Sequence, residues 1–385
     1  MWNIVAIGFV SFFADISAEM VYPVIPLYLT SAFGATPALV GIIEGIAESL
    51  ASLLKVFSGF ITDKYKRKKP IAFVGYAAGL IYKIALIAAG SWIGILGARV
   101  LDRMGKGIRT APRDVMVSES AEKHQMGKAF GIHKSLDMAG SAIGIFIAFC
   151  ILKSSSSFDY KNLFLLSMVP AVLSLVMFLF IKEKQVKTAK KREPFWTNMS
   201  KLDNQLKLYL SVAFIFTLGN SSNTFLLLRA KSVGYSDETV ILLYFIYNIT
   251  ASIFAIPLGK LSDKLGRKRI LVAGYFIFAA VYLGFAVAIN KAVIVSAFVL
   301  YGLYTAMTAG VERAFIAEIS PEDLKGTMLG LHSTIVGIAL LPASTMAGFL
   351  WDMFGARVTF VFGATMSLCA AITLMIFMRN KQYNN

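Results

Sequence analysis

The chain has 385 residues, of which 57% are hydrophobic and 16% are charged, and its formal net charge is +16. Soluble domains carry about 25% charged residues, so the composition excludes an ordinary water-soluble globular protein. The basic residues are concentrated in short segments between apolar stretches, which argues against a nucleic-acid-binding protein and favours a membrane protein.

Long apolar stretches recur along the whole chain. A stretch of about 18 apolar residues crosses a hydrocarbon core of about 30 Å, where only a helix satisfies its own backbone. We therefore expect an all-α polytopic membrane protein with the lipid bilayer as its surroundings. The sequence predicts twelve transmembrane helices, called spans 1 to 12 below: 4–31, 37–61, 71–90, 92–116, 127–152, 160–181, 206–229, 238–261, 269–289, 292–317, 326–350 and 354–378.

Every second loop is basic. The segments 64–69, 182–192 and 264–269 are rich in Lys and Arg, whereas the segments 31–37 and 90–92 contain neither. Short basic loops stay in the cytoplasm. With an even number of spans, both termini are expected to be cytoplasmic, in a multi-pass protein of the cell (inner) membrane.

The chain also divides into two halves. A basic connection broken by Pro194 follows span 6, so we expect an N-terminal six-helix bundle at 1–182, a cytoplasmic linker at 183–204 and a C-terminal six-helix bundle at 205–385. The loop GFITDKYKRKK after span 2 reappears as GKLSDKLGRKR after span 8. Recurrence of the same loop at the same place in each half indicates an internal duplication.

These two loops resemble the signature of the major facilitator superfamily (MFS), which has a glycine, an aspartate four positions later and then a basic cluster. The resemblance covers essentially the whole chain. It implies two pseudo-symmetric bundles that rock around a central site, with the loops as cytoplasmic gates. Asp63 would then lie near Gly326 and Asp263 near Gly127, at helix starts whose partial positive charge favours a carboxylate. The matching residues are Gly59, Asp63, Arg67 and Lys68 in the first half, and Gly259, Asp263, Gly266, Arg267 and Lys268 in the second.

Ionisable residues inside spans are costly, so they face a cavity or a partner. The helical rise places Asp15, Glu48 and Arg103 at similar depths, near the middle of the membrane. We predict that Glu48 or Asp15 exchanges protons through Arg103; a permanent salt-bridge network joining spans 1, 2 and 4 is the alternative. The candidate proton-coupling residues are Asp15, Glu19, Glu44, Glu48, Arg99, Asp102 and Arg103.

Two further groups complete the candidate site. Arg109, Arg113 and Asp114 end span 4 and are expected to anchor it and to contribute to the cytoplasmic gate. For His332, a place in the core and a place in the cavity remain open. The substrate-cavity candidates of the second half are Asn220, Asn223, Tyr244, Tyr247, Glu312, Arg313 and His332.

The sequence thus predicts a secondary active transporter. Arg103 resembles the span 4 arginine of the superfamily's proton-coupled drug exporters, with Arg99 as a rival, which slightly favours proton-coupled efflux of a small organic compound. Ile145, however, stands where the antiporters of the superfamily have a proline. The alternative is uptake or exchange of a small organic anion, favoured by the basic stripe on span 4. A lipid flippase, a scramblase or a passive channel is more remote.

Other functional classes lack their motifs. The three histidines form no H-E-x-x-H sequence, and no G-x-x-x-x-G-K-[ST] loop is present, so the sequence supports neither an enzyme nor an ATP-driven pump. Cys150 and Cys369 both lie inside spans and suggest no disulfide or metal site. We expect no cofactor, with a proton gradient as the energy source, a small-molecule substrate as partner, no nucleic acid, and a monomer.

Overall fold

In this computed structural model, every regular element of the described residues is a helix. The structure describes residues 2–65, 67–120, 126–154, 160–183, 203–288, 290–320 and 325–378; at 56, 59–65, 126–131 and 325–327 it describes only the helical backbone. The predicted all-α class is confirmed.

Fifteen α-helices lie in these ranges. The first half contains α1 (Trp2–Val21), α2 (Ile25–Phe33), α3 (Pro37–Tyr65), α4 (Lys68–Ala88), α5 (Trp92–Ser120), α6 (Met126–Ser154) and α7 (Tyr160–Leu179). The second contains α8 (Asn204–Gly219), α9 (Thr224–Ser232), α10 (Asp237–Leu265), α11 (Arg267–Val287), α12 (Lys291–Thr308), α13 (Val311–Ile319), α14 (Lys325–Phe354) and α15 (Ala356–Phe377).

Eleven helical segments of the described chain are long and apolar enough to cross a membrane. The remaining predicted span, 92–116, is helical as α5, but its charged residues place it outside that apolar criterion.

Three spans that the sequence predicts as continuous are interrupted. Span 1 breaks at a 3₁₀ turn over Tyr22–Val24, where Pro23 and Pro26 remove backbone donors. Span 7 breaks between α8 and α9, where the Thr224 backbone N–H bonds to the Ser222 hydroxyl at 3.3 Å and so leaves the helical pattern. Span 10 breaks before α13, next to Gly310, a poor helix former.

Contacts divide the chain into two compact units. The first gathers Met1–Thr36, Ile46–Lys191 and Ser236–Phe245, and the second gathers Pro37–Gly45, Arg192–Tyr235 and Ile246–Asn385. The first turns of α3 and α10 therefore belong by contacts to the unit formed mainly by the opposite half. The predicted boundaries near 182 and 205 stay a prediction.

Small residues allow helices to approach within each unit. In the first unit, α1 packs against α6 and α7, and α4 packs against α5 and α7. Gly140 and Gly144 of α6 face the backbone carbonyl oxygens of Phe12 and Ile16 on α1. Their four-residue spacing is typical of close helix packing. In the second unit, α11 packs against α12 and α15, and α8 packs against α14 and α15.

Replacing Gly140 by alanine is expected to destabilise the protein, because the added methyl group would collide with the Phe12 carbonyl oxygen. Since that atom belongs to a helical backbone, α1 and α6 must separate, at a cost of about 1–3 kcal/mol. The control is Gly97→Ala on α5, where a Cβ would meet nothing within 4 Å. Melting curves of purified protein should show a lower Tm for Gly140→Ala only; equal Tm values would contradict the close packing.

Candidate functional site

One charged network of the first unit is centred on Arg103. One guanidinium nitrogen of Arg103 lies 3.2 Å from Glu48 Oε1 on α3, and its Nε lies 3.5 Å from Asp102 Oδ2. Arg99 approaches the same Asp102 oxygen at 3.5 Å. Four residues of α3 and α5 therefore form one network in which Arg103 is shared by two carboxylates.

An aromatic ring covers both arginines of this network. Arg99 and Arg103 are buried, and their guanidinium carbons lie 5.2 and 5.1 Å from the centre of the Tyr22 ring. A cation over an aromatic face is attracted by the ring quadrupole. Tyr22 can occupy this position because span 1 breaks at this residue.

Asp15 lies in a second network and not beside Arg103. Its Oδ1 is 4.0 Å from Arg109, and its carboxyl group lies beside that of Asp137 on α6. Arg113 lies 3.9 Å from Asp137 and 2.9 Å from Asp114. The residues predicted to end span 4 as gate contacts are thus joined to Asp15 within the first unit.

The two remaining acids of the predicted coupling set lie elsewhere. Glu19 is in the first unit, and its Oε2 is buried without a hydrogen-bond partner among the described residues. Glu44 is 1% exposed and belongs by contacts to the second unit. Among the described residues, Glu19 makes no ion pair with Arg103 within 4.0 Å.

In the second unit, the break between α8 and α9 presents two amides to tyrosines of α12. Asn220 donates to the Tyr304 hydroxyl at 3.1 Å, and the Tyr301 hydroxyl donates to Asn223 at 2.8 Å. The Tyr247 ring packs on Tyr301 with 5.1 Å between centres. The predicted residues Asn220, Asn223 and Tyr247 therefore come together in a neutral, hydrogen-bonding cluster.

Tyr244 lies apart from this cluster. By contacts it belongs to the first unit, where its ring is 6.0 Å from that of Tyr22.

The other candidates of the second half form a separate group. Glu312 accepts a hydrogen bond from Tyr275 at 3.2 Å, and Arg313 is exposed. His332 is 8% exposed and stacks on Tyr209 at 6.1 Å, and its Nε2 has no hydrogen-bond partner among the described residues. No group of His, Cys, Asp and Glu in the described chain is arranged to hold a metal ion.

Known proteins are similar to this chain over nearly its whole length. The family model described as Major Facilitator Superfamily matches residues 7–229 and 208–384. An uncharacterized MFS-type transporter of Methanocaldococcus jannaschii is 36% identical over 379 residues, which cover 97% of this chain and 94% of that protein. The chain belongs to the major facilitator superfamily. It is therefore a multi-pass membrane transporter and not an enzyme.

More distant members of the superfamily are also similar. The multi-drug resistance efflux pump PmrA of Streptococcus pneumoniae is 25% identical over 383 residues, with 95% of this chain and 93% of the pump covered. The crystal structure of a mutant of the nucleoside transporter NupG has a TM-score of 0.84 at 11% identity, with 98% and 100% of the chains covered. At that identity the likeness shows the fold alone.

The superfamily loop ties together helices of its own half. In the first half, Lys68 Nζ lies 2.6 Å from Glu119 in the last turn of α5. Lys69 donates to the Ile181 carbonyl oxygen, just beyond α7, at 2.6 Å. The start of α4 is therefore held to the ends of α5 and α7.

The second half makes similar contacts, each from one loop position earlier. Arg267 lies 2.8 Å from Glu318 in α13, and Lys268 donates to the carbonyl oxygens of Met375 and Met378 near the end of α15. Arg267 and Lys268 correspond to Arg67 and Lys68, so the two loops hold the equivalent helices of their halves through residues shifted by one position.

The predicted gate contacts of Asp63 and Asp263 stay predictions. Asp263 lies 3.1 Å from Arg267. Gly266, at the start of α11, has a φ of 93°, a value that favours glycine. Gly59, Asp63, Gly127 and Gly326 lie outside the residues whose side chains are described, whereas Arg67 is exposed and Gly259 has open space around its Cα.

Sequence reasoning missed several residues of these networks. Lys83, in the apolar stretch IYKIAL of span 3, is a buried lysine whose position inside a span was a usable signal. Tyr22 could be assigned only once the break of span 1 was known. Tyr275, Tyr301 and Tyr304 carried no signal, because tyrosines are common in spans and only the folded structure places them beside polar partners.

Proposed function

We propose that this transporter is proton-coupled, that it exports a small organic compound, and that Glu48 is the group that exchanges the proton. The supporting observation is that Arg103 lies between Glu48 at 3.2 Å and Asp102 at 3.5 Å. The Glu48 side chain is 28% exposed and that of Asp102 is 13% exposed, so Glu48 is the less enclosed of the two acids.

The proposed cycle uses the partner change of one arginine. A carboxylate beside a guanidinium favours its charged form, whereas the same group in an apolar environment favours its neutral form. When Glu48 takes up a proton, Arg103 loses one of its two partners and moves toward Asp102. When Glu48 releases the proton, the ion pair forms again. Rocking of the halves, as the superfamily fold implies, would present Glu48 to opposite sides of the membrane.

The Asp15–Asp137 pair supports proton handling by the same half. These carboxyl groups lie side by side, and adjacent carboxylates favour protonation of one of them. Arg109 and Arg113 lie 4.0 Å from Asp15 and 3.9 Å from Asp137, respectively. A protonatable pair and two guanidinium groups thus share one site in the first unit, an arrangement suited to transient proton binding.

The direction of transport rests on different support. Export is favoured by the similarity to an efflux pump over almost the whole chain. Uptake or exchange of an organic anion is the second candidate, because Lys106 on α5 is exposed and makes no ion pair within the described residues. An exposed cation inside a span would attract an anionic substrate.

Purified protein in liposomes that enclose a pH-sensitive dye tests this proposal. The probes are ethidium and benzenesulfonate, whose charges do not titrate, so neither compound carries protons by itself. Uptake of ethidium that makes the interior alkaline is expected for proton antiport, the exchange that drives export. Uptake of benzenesulfonate that makes the interior acidic would favour anion symport. Uptake of either probe without any pH change would contradict proton coupling; protein-free liposomes give the background.

A further inference from the structure

Lys83 is a buried cation that the proposed cycle leaves unexplained. It lies on α4 and is 2% exposed. Its ammonium group is 4.8 Å from the centre of the neighbouring Tyr82 ring, and within the described residues it makes no hydrogen bond and no ion pair within 4.0 Å. A lysine in the interior of a membrane protein is costly unless a partner compensates its charge.

Lys83 lines a small cavity. The space open to the centre of a water molecule is about 10 Å³, enough for one water molecule. The Ser17 and Ser174 hydroxyl groups donate to the carbonyl oxygens of Ser167 and Val10, at 2.7 and 2.9 Å, so their oxygen lone pairs remain as acceptors. The cavity is lined by Ala14, Ser17, Ala18, Tyr76, Gly79, Lys83, Asp102, Arg109, Ala171 and Ser174.

Asp102 is the one acid among these lining residues. Lys83 and Arg109 are the two cations that line the cavity with it, and Arg109 also lies 4.0 Å from Asp15. The contacts of Asp102 with Arg99 and Arg103 are loose, at 3.5 Å each. The segments of α1 and α7 that line the cavity add serines and alanines but no charge, so Lys83 is the lining cation that has no ion pair of its own within 4.0 Å among the described residues.

We propose that Lys83 and Asp102 form an ion pair bridged by one water molecule in this cavity, and that the pair keeps Asp102 ionised while Arg103 changes partners at Glu48. The inference rests on the proposed function and deepens it. Lys83 is a positioning residue: it holds the charge of Asp102 constant, so that Glu48 is the acid whose protonation decides where Arg103 lies.

Asp102 stays ionised only if enough positive charge remains near it when Arg103 moves away. Without Lys83, release of Arg103 toward Glu48 would leave Asp102 with two near cations, Arg99 and the Arg109 that also contacts Asp15. A carboxylate that loses a nearby cation binds protons more readily. Asp102 would then compete with Glu48 for the proton, and proton binding would no longer be confined to one acid.

Infrared titration of the purified protein without substrate tests this pair. The measured signal is the infrared band of the protonated Asp102 carboxyl group, identified by its absence in Asp102→Asn. The intensity of this band is followed as a function of pH. In Lys83→Met, the pH at which this band appears is expected to rise by about 1–3 units relative to wild type. Lys83→Arg and the exposed-lysine control Lys153→Met should leave it unchanged. A side chain that only filled space would lower the Tm without moving the band.

An unmoved band in Lys83→Met, or a new band that persists in the Lys83→Met/Asp102→Asn double variant, would overturn the pair. Lys83→Gln, which keeps a polar end without charge, carries the same expectation if Lys83→Met does not fold. Because the titration uses no substrate, its outcome is separate from that of the transport assay. If the band shifts in Lys83→Met but Glu48→Gln retains full proton-driven transport, the proposed function is wrong and the Lys83–Asp102 pair is still supported.

Discussion

Glu48→Gln is expected to reduce proton-driven transport by about tenfold or more while leaving exchange of substrate for substrate intact. Glutamine keeps the size of the side chain and can still accept a hydrogen bond from Arg103, but it cannot take up or release a proton in this range of pH. A charged hydrogen bond of the kind seen at 3.2 Å contributes about 1.5–3 kcal/mol, and each 1.4 kcal/mol corresponds to a factor of ten.

The measurement uses whichever of ethidium and benzenesulfonate the wild-type protein transports. It compares two transport rates in liposomes. One is transport driven by an imposed pH gradient, and the other is exchange of labelled for unlabelled probe, which needs no net proton movement. Glu238→Gln, at the first turn of α10 and outside the network, is the matched control. Full gradient-driven transport in Glu48→Gln would remove Glu48 from the mechanism, and loss of both rates would indicate damage to the fold.

Arg103→Met is expected to destabilise the protein by about 3 kcal/mol and to abolish transport. Removal of one partner of a buried ion pair leaves an uncompensated charge, which costs about 3–5 kcal/mol. The lower end applies here because the Glu48 side chain is 28% exposed and water can solvate part of its charge. Methionine keeps the volume of the arginine stem, so the loss reports the charge and not a cavity.

The double variant Arg103→Met/Glu48→Gln decides whether the pair is the cause. With both charges absent, the Tm should recover most of the loss seen in Arg103→Met alone, since the orphaned carboxylate is gone. Arg357→Met, an exposed arginine at the start of α15, should leave the Tm unchanged. Additive losses in the double variant would show that Arg103 and Glu48 do not interact energetically.

The networks of the first unit explain why charge occurs so often in these spans. Glu48, Asp102 and Arg103 offset one another on α3 and α5, and Asp15 is offset by Arg109 of α5. The sequence could suggest such a network from the four-residue spacing of its acids and from the charged stripe of span 4. It could not assign partners, because the rotation of each helix about its axis is set by packing.

Asp15 illustrates this limit. Its depth, estimated from helical rise, matched that of Arg103 and suggested that the two could meet. In the structure, Arg103 instead pairs with Glu48, and Asp15 lies beside Arg109. The close packing of α1 on α6 at Gly140 and Gly144 brings Asp15 next to Asp137. Depth is a one-dimensional quantity, whereas an ion pair depends on two helix rotations as well.

The amino-acid sequence by itself determined the helical class, the superfamily and the internal duplication. Each follows from local information: apolar length, the absence of water in the bilayer, and a loop written twice. Tertiary structure alone decided that Tyr22 covers two arginines and that a buried lysine shares a water-sized cavity with Asp102. These features depend on contacts between residues far apart in the chain, and no local pattern records which distant side chain will be the partner.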